Sequence, residues 1–333
     1  MKSILLFLNL LTTFSSLSLM EQRKSAFVFP ARVINFKNLG EAFLKSYPEM
    51  EDLFDEADLY FNEELNPLFL NESENIANID SKIYFSTHVM NCLLFSLLQI
   101  HNLKPEALLG SSLGIYASLF ASGSISFKES NTLIKTAIES IKKNSIDKKA
   151  FTEISGLSAN ELSSITEDSS PKESVFISHF NSPNQFTISG YEQYVRKIAK
   201  LVTASGGISS SIIFIDHLIH TGSLKLSPLL KEAIAAFDFK VPEIPICSDT
   251  DVKLLSSGEE IRITLSDQIT KPVLFEKAVR LLIAEGINSF IEIGGEGKLS
   301  KFIRWIDRKI RTYCIQDKSS FDYHLKLFGK AKD

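Results

Sequence analysis

The sequence predicts an α/β fold: a large domain built on a parallel sheet, with a small domain of βαββαβ order inserted into it. Two observations predict this fold. Short apolar strands alternate with helices before residue 148 and again after 213, and such strand–turn–helix units build parallel sheets. Between those residues the order is strand, helix, two strands, helix, strand, which is the split arrangement of a ferredoxin-like domain. We therefore assign 25–147 and 214–327 to the large domain and 148–213 to the small one.

The elements of the large domain are identified by their apolar periodicity and by the residues that end them. Ala26–Phe29 is an apolar run that Pro30 ends, which is typical of a buried strand. The remaining strands are predicted at 106–110, 244–246 and 289–293. The helices are predicted at 38–57, 87–102, 115–122, 127–142, 271–285 and 298–310.

The small domain has its own sequence of strands and helices. Strands are predicted at 150–155, 175–180, 185–189 and 211–215. Helices are predicted at 158–167, where Ser158 supplies an N-cap, and at 192–204. The turn Asn181–Asn184 joins the two central strands.

Residues 1–24 are predicted to be a leader or a mis-assigned N-terminal extension. Lys2 followed by an apolar run has the composition of a secretory signal. The run is too short to span a bilayer as a helix, and Ser15–Leu19 offers no clear small-x-small cleavage site. We favour Met20 as the true start, because the first strand begins only six residues later, at Ala26. The expected location is the cytoplasm, with a signal sequence as the alternative.

Composition excludes several classes of function. The 333 residues are 44% hydrophobic and 23% charged, as in soluble globular proteins. A net charge of −4 gives no basic field for nucleic acid. The three cysteines are too widely spaced for a disulfide framework or a paired metal site. We therefore expect no nucleic acid, no metal, no bound cofactor and no stable membrane span.

Gly110-Ser111-Ser112-Leu113-Gly114 fits the pattern G-x-S-x-G between a strand and a helix. A nucleophile on so sharp a turn needs small neighbours two residues away on each side. The helix that follows directs free N–H groups at the oxyanion formed when Ser112 attacks a carbonyl. Ser112 is therefore the candidate nucleophile, and the N–H of Leu113 is the candidate oxyanion donor.

A serine nucleophile needs a base, and six histidines are available. His217 and His220 stand out because they follow the last strand of the inserted domain. The residues themselves do not choose between these two. Asp216 invites a triad interpretation, but adjacency in sequence is no support for one.

Several blocks together resemble the malonyl-CoA:acyl-carrier-protein transacylase family. These blocks follow one another in the same order as in that family. They are Phe27–Pro30, Leu108–Tyr116, Asn181–Gly190, His220-Thr221, Pro242–Ile246 and Ile291–Gly294. The resemblance implies a hydrolase-like α/β large domain with a ferredoxin-like insertion. It also implies substrates carried as phosphopantetheine thioesters, with an acyl carrier protein and possibly acyl-CoA as partners.

The resemblance also implies roles for individual residues. Ser112 takes the position of the nucleophile and His220 that of the general base. Gln268 falls where a backbone carbonyl orients the base, and Arg32 falls where a backbone N–H completes the oxyanion hole. Asn181 falls in the segment of the small domain that lines the substrate cleft.

Departures from the family pattern bear on the substrate. The first motif has lost two glycines and reads Ala31-Arg32-Val33 after Pro30, and Ser111 replaces a histidine of the cleft. The arginine that clamps a malonyl carboxylate is absent, because Ala137 stands 25 residues after Ser112. Arginine–carboxylate pairs are bidentate, and the nearby Lys135 does not readily replace one.

The pattern of departures resembles the acyl hydrolases of polyketide synthases with free-standing acyltransferases. We therefore expect an enzyme that removes neutral acyl groups from carrier proteins through an acyl-Ser112 intermediate. The alternative is a transacylase that loads malonyl or another acyl unit from coenzyme A onto a carrier protein in fatty-acid or polyketide biosynthesis. A non-catalytic homologue that binds carrier proteins is the third hypothesis.

The segment Gly294–Lys298 invites a comparison with phosphate-binding loops. Its spacing does not fit G-x4-G-K-S/T. We interpret it as a strand-to-helix turn.

Overall fold

The computed structural model describes residues 24–33, 45–48, 50–51, 55–57, 80–141, 148–215, 218–222 and 226–328. The predicted leader, most of the helix expected at 38–57, and both Asp216 and His217 lie outside these ranges. The described strands are β1 Ser25–Phe29, β2 Ala107–Gly110, β3 Lys149–Ser155, β4 Val175–Ser182, β5 Gln185–Tyr191, β6 Ile208–Ser209, β7 Ile213–Ile215, β8 Ile246–Cys247, β9 Leu254–Leu255, β10 Ser289–Ile293 and β11 Arg311–Ile315.

The longer described helices surround the two sheets that these strands form. They are α1 Asp80–Ile100, α2 Ile115–Ala121, α3 Phe127–Ile141, α4 Ala159–Ser169, α5 Glu192–Ala204, α6 Pro228–Ala236, α7 Gly258–Gln268, α8 Phe275–Ala284, α9 Lys298–Ile306 and α10 Lys318–Phe328. Six of these elements are absent from the sequence-based prediction: β6, β9, β11, α6, α7 and α10.

The larger sheet has the strand order β11-β10-β1-β2-β8-β9. Its first five strands are parallel, and β9 pairs antiparallel with β8. The loops after β1, β2, β8 and β10 therefore leave the sheet at the same edge, where α/β proteins bind their ligands. These loops carry Arg32, Ser112, Asp249 and the glycines at 294–297, which form the predicted strand-to-helix turn.

Helices cover both faces of the larger sheet, as a parallel sheet requires. Along β1, Phe27 and Phe29 pack into one apolar core, and Ala26 and Val28 pack into the other. Helix α1 is long and apolar enough to cross a membrane, but 78% of its apolar window is buried inside the protein. It is thus a core helix, and it packs in the apolar core that contains Phe27 and Phe29.

The second sheet is antiparallel, with the order β4-β5-β3-β6, and β7 also pairs with β3. Helices α4 and α5 pack on it around a separate apolar core. Ser158 forms the capping box of α4, as its position predicts. The predicted fold class is confirmed. The boundary proposed at 213/214 stays a prediction, and the second sheet itself runs to Ile215.

Backbone hydrogen bonds join the second sheet to the segment that follows α7. The N–H of Phe180 donates to the carbonyl of Val273 at 2.8 Å, and the N–H of Val273 donates to the carbonyl of Ser178 at 2.9 Å. His179 and Val273 form an isolated parallel bridge. The small sheet is therefore fixed to the edge of the larger sheet that carries Ser112.

Candidate active site

The turn between β2 and α2 holds Ser112 in a left-handed backbone conformation, with φ of 52°. Such a φ is costly for a residue with a side chain, and the flanking glycines make the turn possible. A Cβ on Gly110 would lie 2.2 Å from the carbonyl carbon of Gly114. A Cβ on Gly114 would lie 2.1 Å from the carbonyl oxygen of Phe29. The pattern G-x-S-x-G thus has the steric basis expected of it.

Ser112 Oγ lies 2.7 Å from Nε2 of His220. The two residues are separated by 108 positions in the chain and meet with 7% and 1% of their surfaces exposed. Because this distance is that of a hydrogen bond between a hydroxyl and an imidazole, the structure brings the predicted nucleophile and base together without any rearrangement.

His220 also has a left-handed backbone, with φ of 60°, and is held by the residues that follow α7. Its N–H donates to the carbonyl of Ile269 at 2.8 Å, and its Nδ1 lies 3.2 Å from the carbonyl of Lys271. A carbonyl can only accept, so Nδ1 carries the proton and Nε2 presents a lone pair to Ser112. This is the tautomer that a general base requires.

Burial lowers the pKa of the His220 imidazole to about 4, and hydrogen bonds to the carbonyls of Lys271 and Gln268 oppose that shift. At neutral pH the imidazole is therefore uncharged and able to accept a proton.

The role expected of the Gln268 carbonyl, to orient the base, stays a prediction. The carbonyl at hydrogen-bond distance from His220 Nδ1 is that of Lys271, while the carbonyl of Gln268 also favours the protonated ring. The side chain of Gln268 turns to the nucleophile instead, and its Nε2 donates to the carbonyl of Ser112 at 3.0 Å. Lys271 lies in the turn that follows α7, which ends at Gln268.

The loop after β1 lies against the elbow although its glycines are gone. The N–H of Ser111 donates to the carbonyl of Phe29 at 2.9 Å. Two side chains of α1 hold the loop: Asn91 Nδ2 donates to the carbonyl of Pro30 at 2.9 Å, and Thr87 Oγ1 accepts from the N–H of Val33 at 3.0 Å.

Positions 87 and 91 are one helical turn apart and share a face of α1, and both side chains are buried. Arg32 lies between the two hydrogen-bonded loop residues. Its N–H stays a predicted oxyanion donor, as does that of Leu113, which lies in the first turn of a helical segment, where N–H groups have no intrahelical partner.

Three residues were expected to line the cleft, and their surroundings differ. Ser111 lies at the start of the elbow with 9% of its surface exposed. Asn181 is turned into its own hairpin, where Nδ2 lies 3.4 Å from Thr187 Oγ1. Ala137 is fully buried in the apolar core that α3 shares with α1. The expected place of Ala137 in the substrate cleft stays a prediction, and in the structure its face of α3 packs inward.

His179 on β4 is the side chain of the small sheet that contacts the base. Its ring lies edge-on to that of His220, with the centroids 5.1 Å apart. Burial lowers the pKa of His179 well below its usual value, and His220 and Lys298 act in the same direction. A second uncharged imidazole thus forms part of the wall beside the dyad.

Sequence reasoning missed Asp249, the side chains of Thr87 and Asn91, and the role of His179. One signal was available for Asp249. It follows β8, which lies beside β2 in the sheet, and side chains at neighbouring carboxyl ends meet at one edge. Within the described residues, no three His, Cys, Asp or Glu side chains are grouped closely enough to hold a metal ion.

The chain is similar to known proteins in sequence and in fold. The acyl transferase domain model matches residues 26–302. The chain is similar to the malonyl CoA-acyl carrier protein transacylase of Bacillus subtilis (strain 168), with 25% identity over 313 residues, which cover 93% of this chain and 99% of that protein.

Solved structures of transacylases share the fold. That of the malonyl CoA-acyl carrier protein transacylase from Coxiella burnetii has a TM-score of 0.81 at 22% identity, covering 92% of this chain and 98% of that one. A type II polyketide synthase malonyl-transacylase in complex with its acyl-carrier protein has a TM-score of 0.80 at 22% identity, covering 91% and 99%. The resemblance found in the sequence is confirmed.

Proposed function

The chain belongs to the family of acyl transferase domains, and from that premise we propose that it transfers acyl groups from coenzyme A to an acyl carrier protein through an acyl-Ser112 intermediate. The observation that carries the proposal is the 2.7 Å contact between Ser112 Oγ and His220 Nε2 at the edge of the sheet. The names of the relatives favour transfer over the hydrolysis that the sequence argument ranks first. The same contact argues against a non-catalytic homologue.

In the first half of the reaction, Ser112 Oγ attacks the thioester carbonyl while its proton passes to His220 Nε2. The N–H groups of Leu113 and Arg32 stabilise the oxyanion of the tetrahedral intermediate. Collapse of this intermediate breaks the C–S bond, and the departing thiolate takes the proton from His220. The products are an acyl-Ser112 ester and free coenzyme A.

In the second half, the phosphopantetheine thiol of the carrier protein gives its proton to His220, and the sulfur attacks the ester carbonyl. When the ester bond breaks, Ser112 Oγ recovers the proton. Every proton is carried by His220, so the exchange needs no metal or bound cofactor. The burial of His220 and Ser112 limits the access of bulk water to the ester, which favours a thiol as acceptor.

The acyl group itself has two candidates. Malonyl is the first, because it is the group that the names of the relatives give. A neutral acyl group is the second. The described residues of α3 include no arginine to pair with a carboxylate, and Ala137 takes the expected place of one. A carboxylate without a partner at such a site would cost roughly 2–5 kcal/mol in binding.

The proposed exchange with coenzyme A fits the cytoplasm. Cys92, Cys247 and Cys314 are free thiols, as in proteins of a reducing compartment.

The test is to mix the protein with a phosphopantetheinylated acyl carrier protein and either malonyl-CoA or butyryl-CoA. Intact-mass spectrometry then follows the carrier. Transfer predicts that the carrier gains the acyl mass, and that Ser112→Ala abolishes the gain. His220→Ala should slow it by about 100- to 10,000-fold.

The same mixtures decide between the candidates. A faster gain from malonyl-CoA supports the first acyl group, and a faster gain from butyryl-CoA supports the second. Acyl loss from a pre-loaded carrier with no gain from either donor would favour hydrolysis and contradict the proposal.

A further inference from the structure

The backbone of Ser112 is strained. The flanking glycines leave room for this conformation but do not by themselves stabilise it. Ser112 has φ of 52°, although the left-handed region is energetically unfavourable for a residue with a Cβ. Residues in such conformations persist where the surrounding structure fixes them. The contacts of the two backbone polar groups of Ser112 therefore matter for where Oγ points.

Both of these backbone groups are bound by buried side chains. The N–H of Ser112 donates to Asp249 Oδ2 at 2.9 Å, and its carbonyl accepts from Gln268 Nε2 at 3.0 Å. Gln268 Nε2 also lies 3.2 Å from Asp249 Oδ1, so the two side chains are bound to each other. Asp249 and Gln268 have 0% and 1% of their surfaces exposed.

We propose that Asp249 and Gln268 are positioning residues that form a side-chain clamp on the backbone of Ser112 and thereby fix the distance between the nucleophile and His220. The inference rests on the proposed role of Ser112 as the nucleophile. It does not depend on which acyl donor or acceptor the enzyme uses.

The clamp links the nucleophile to the base through a short stretch of chain. Gln268 is the last residue of α7, and the three residues after it bind the loop of His220. The carbonyl of Ile269 accepts from the N–H of His220, and the carbonyl of Lys271 accepts from its Nδ1. Four consecutive residues therefore hold Ser112 at one end and His220 at the other.

The position of Asp249 is itself fixed from both sides. It follows β8, the sheet neighbour of β2, and its own carbonyl accepts from the N–H of Leu274 at 2.6 Å. Thr250 Oγ1 lies 3.4 Å from Asp249 Oδ1. A carboxylate is suited to this place because it offers two acceptor oxygens, one for the N–H of Ser112 and one for Gln268.

Asparagine would supply only one of the two acceptor oxygens that Asp249 offers. Its carbonyl oxygen could accept from the N–H of Ser112, but its amide nitrogen would then face the Nε2 donor of Gln268. Turning the Gln268 amide would relieve that conflict at the expense of the hydrogen bond to the Ser112 carbonyl. An intermediate effect is therefore expected for Asp249→Asn.

The experiment measures the rate at which a fluorophosphonate labels Ser112, together with the thermal midpoint of each variant. Asp249→Leu removes both acceptor oxygens while keeping the number and branching of the side-chain heavy atoms. It should slow labelling by about 100-fold, since a misplacement of about 1 Å has effects of this size. Gln268→Met should slow it by about 10-fold. Asp249→Asn should lie between wild type and Asp249→Leu.

Thr264→Val is the matched control. Thr264 is also buried on α7, one turn before Gln268, and its Oγ1 bonds to Asp251 at 2.9 Å rather than to the elbow. It should lower the thermal midpoint but keep the labelling rate within about twofold. The double variant Asp249→Leu with Gln268→Met should be slowed no more than about 100-fold, because groups that act as a unit are not additive.

Two results would overturn the clamp. The first is that folded Asp249→Leu is labelled at a rate within about threefold of wild type. If the leucine variant does not fold, the same result in both Asp249→Asn and Gln268→Met would overturn the clamp. The other is a loss in Thr264→Val as large as that in Asp249→Leu. Labelling involves neither coenzyme A nor a carrier protein. Normal labelling of the wild type without loading of a carrier would therefore contradict the proposed function and leave the clamp intact.

Discussion

The elbow at Ser112 and the loop Pro30–Val33 lie side by side at one edge of the sheet, but their backbones are shaped by different means. At the elbow, glycines remove the side chains that would collide with neighbouring backbone. In the loop the glycines of the family are missing, and buried side chains of α1 hold both ends by hydrogen bonds. A backbone path can thus be specified locally, by the absence of a Cβ, or remotely, by a donor and an acceptor on another element.

The largest effect is expected from Gly114→Ala, which tests the local mechanism. The new Cβ would lie 2.1 Å from the carbonyl oxygen of Phe29, so β1 and the elbow must move apart by more than about 1 Å. We expect labelling of Ser112 by a fluorophosphonate to fall by at least about 100-fold. Overpacking should lower the free energy of unfolding by about 3 kcal/mol, measured by urea denaturation.

Gly206→Ala is the control for the left-handed backbone alone. Gly206 has φ of 85° and open space where a Cβ would lie. This variant should lose about 1 kcal/mol of stability and keep the labelling rate. Unchanged labelling in Gly114→Ala would show that the elbow does not depend on this close approach.

Asn91→Leu tests the remote mechanism and should have the next largest effect. It removes the donor to the carbonyl of Pro30 while keeping the number and branching of the side-chain heavy atoms. Removing an oxyanion donor outright costs about 100- to 1,000-fold in kcat. Displacing the loop that carries one should slow acylation by about 10- to 100-fold. Ser96→Ala is the control, because it removes a hydroxyl from the same helix, and it should leave the acylation rate unchanged. If Asn91→Leu is acylated as fast as Ser96→Ala, Asn91 does not hold the loop in place.

Thr87→Val examines the other end of the loop, with a smaller expected effect of about 10-fold on acylation. Valine has the shape of threonine but leaves the N–H of Val33 without its acceptor, which costs about 1–3 kcal/mol for a buried donor. Thr87→Ser keeps the hydroxyl and should restore the wild-type rate in the same labelling assay. Failure of serine to restore it would indicate that packing of the methyl group, not the hydrogen bond, matters here.

The smallest change in labelling rate is expected when the pH is varied between 8 and about 5. Any pH dependence should come from His220, the base that contacts Ser112 in the elbow. The base acts in its uncharged form, and the pKa of His220 lies at about 4. The labelling rate should therefore stay within a few-fold between pH 8 and about pH 5 and fall as pH drops through about 4. Labelling in pH-jump mixtures, with circular dichroism as a check of folding, measures this profile. Burial raises the pKa of Asp249 to about 7, so the profile is also measured in Asp249→Asn, whose amide does not titrate. An inflection near 6.5, the ordinary value for histidine, that persists in this variant would contradict a buried, uncharged base.

The sequence predicted most of the elements that carry the site. Helix α5 was predicted with its observed bounds, and so was β10, because both have strong apolar periodicity and clear flanking residues. The strand predicted at 244–246 is observed only at Ile246–Cys247, and the helix at 271–285 begins only at Phe275. The residues before that helix instead bind His220 and the small sheet, contacts that periodicity does not report.

The roles of Ser112 and His220 were predicted from a local pattern and from a family resemblance, and the structure places the two side chains in contact. Gln268 was predicted to orient the base, but the side-chain contacts of Asp249 and Gln268 with the backbone of Ser112 were not predicted. Asp249 stands 137 residues from Ser112, and Gln268 stands 156 residues from it. The position of Asp249 after a strand indicates the edge of the sheet where it lies, but no local pattern indicates that either side chain binds the backbone of Ser112.

The sequence by itself determined the sharp turn at the nucleophile and the βαββαβ order of the insertion, because steric freedom at glycine and side-chain periodicity are properties of neighbouring residues. The tertiary structure alone decided that Ala137 faces the core, that the carbonyl of Lys271 lies at hydrogen-bond distance from His220 Nδ1, and that α1 holds the loop after β1. These outcomes depend on which distant donors and acceptors the packing of helices on the sheet brings within about 3 Å, and that distance is not encoded in any single stretch of chain.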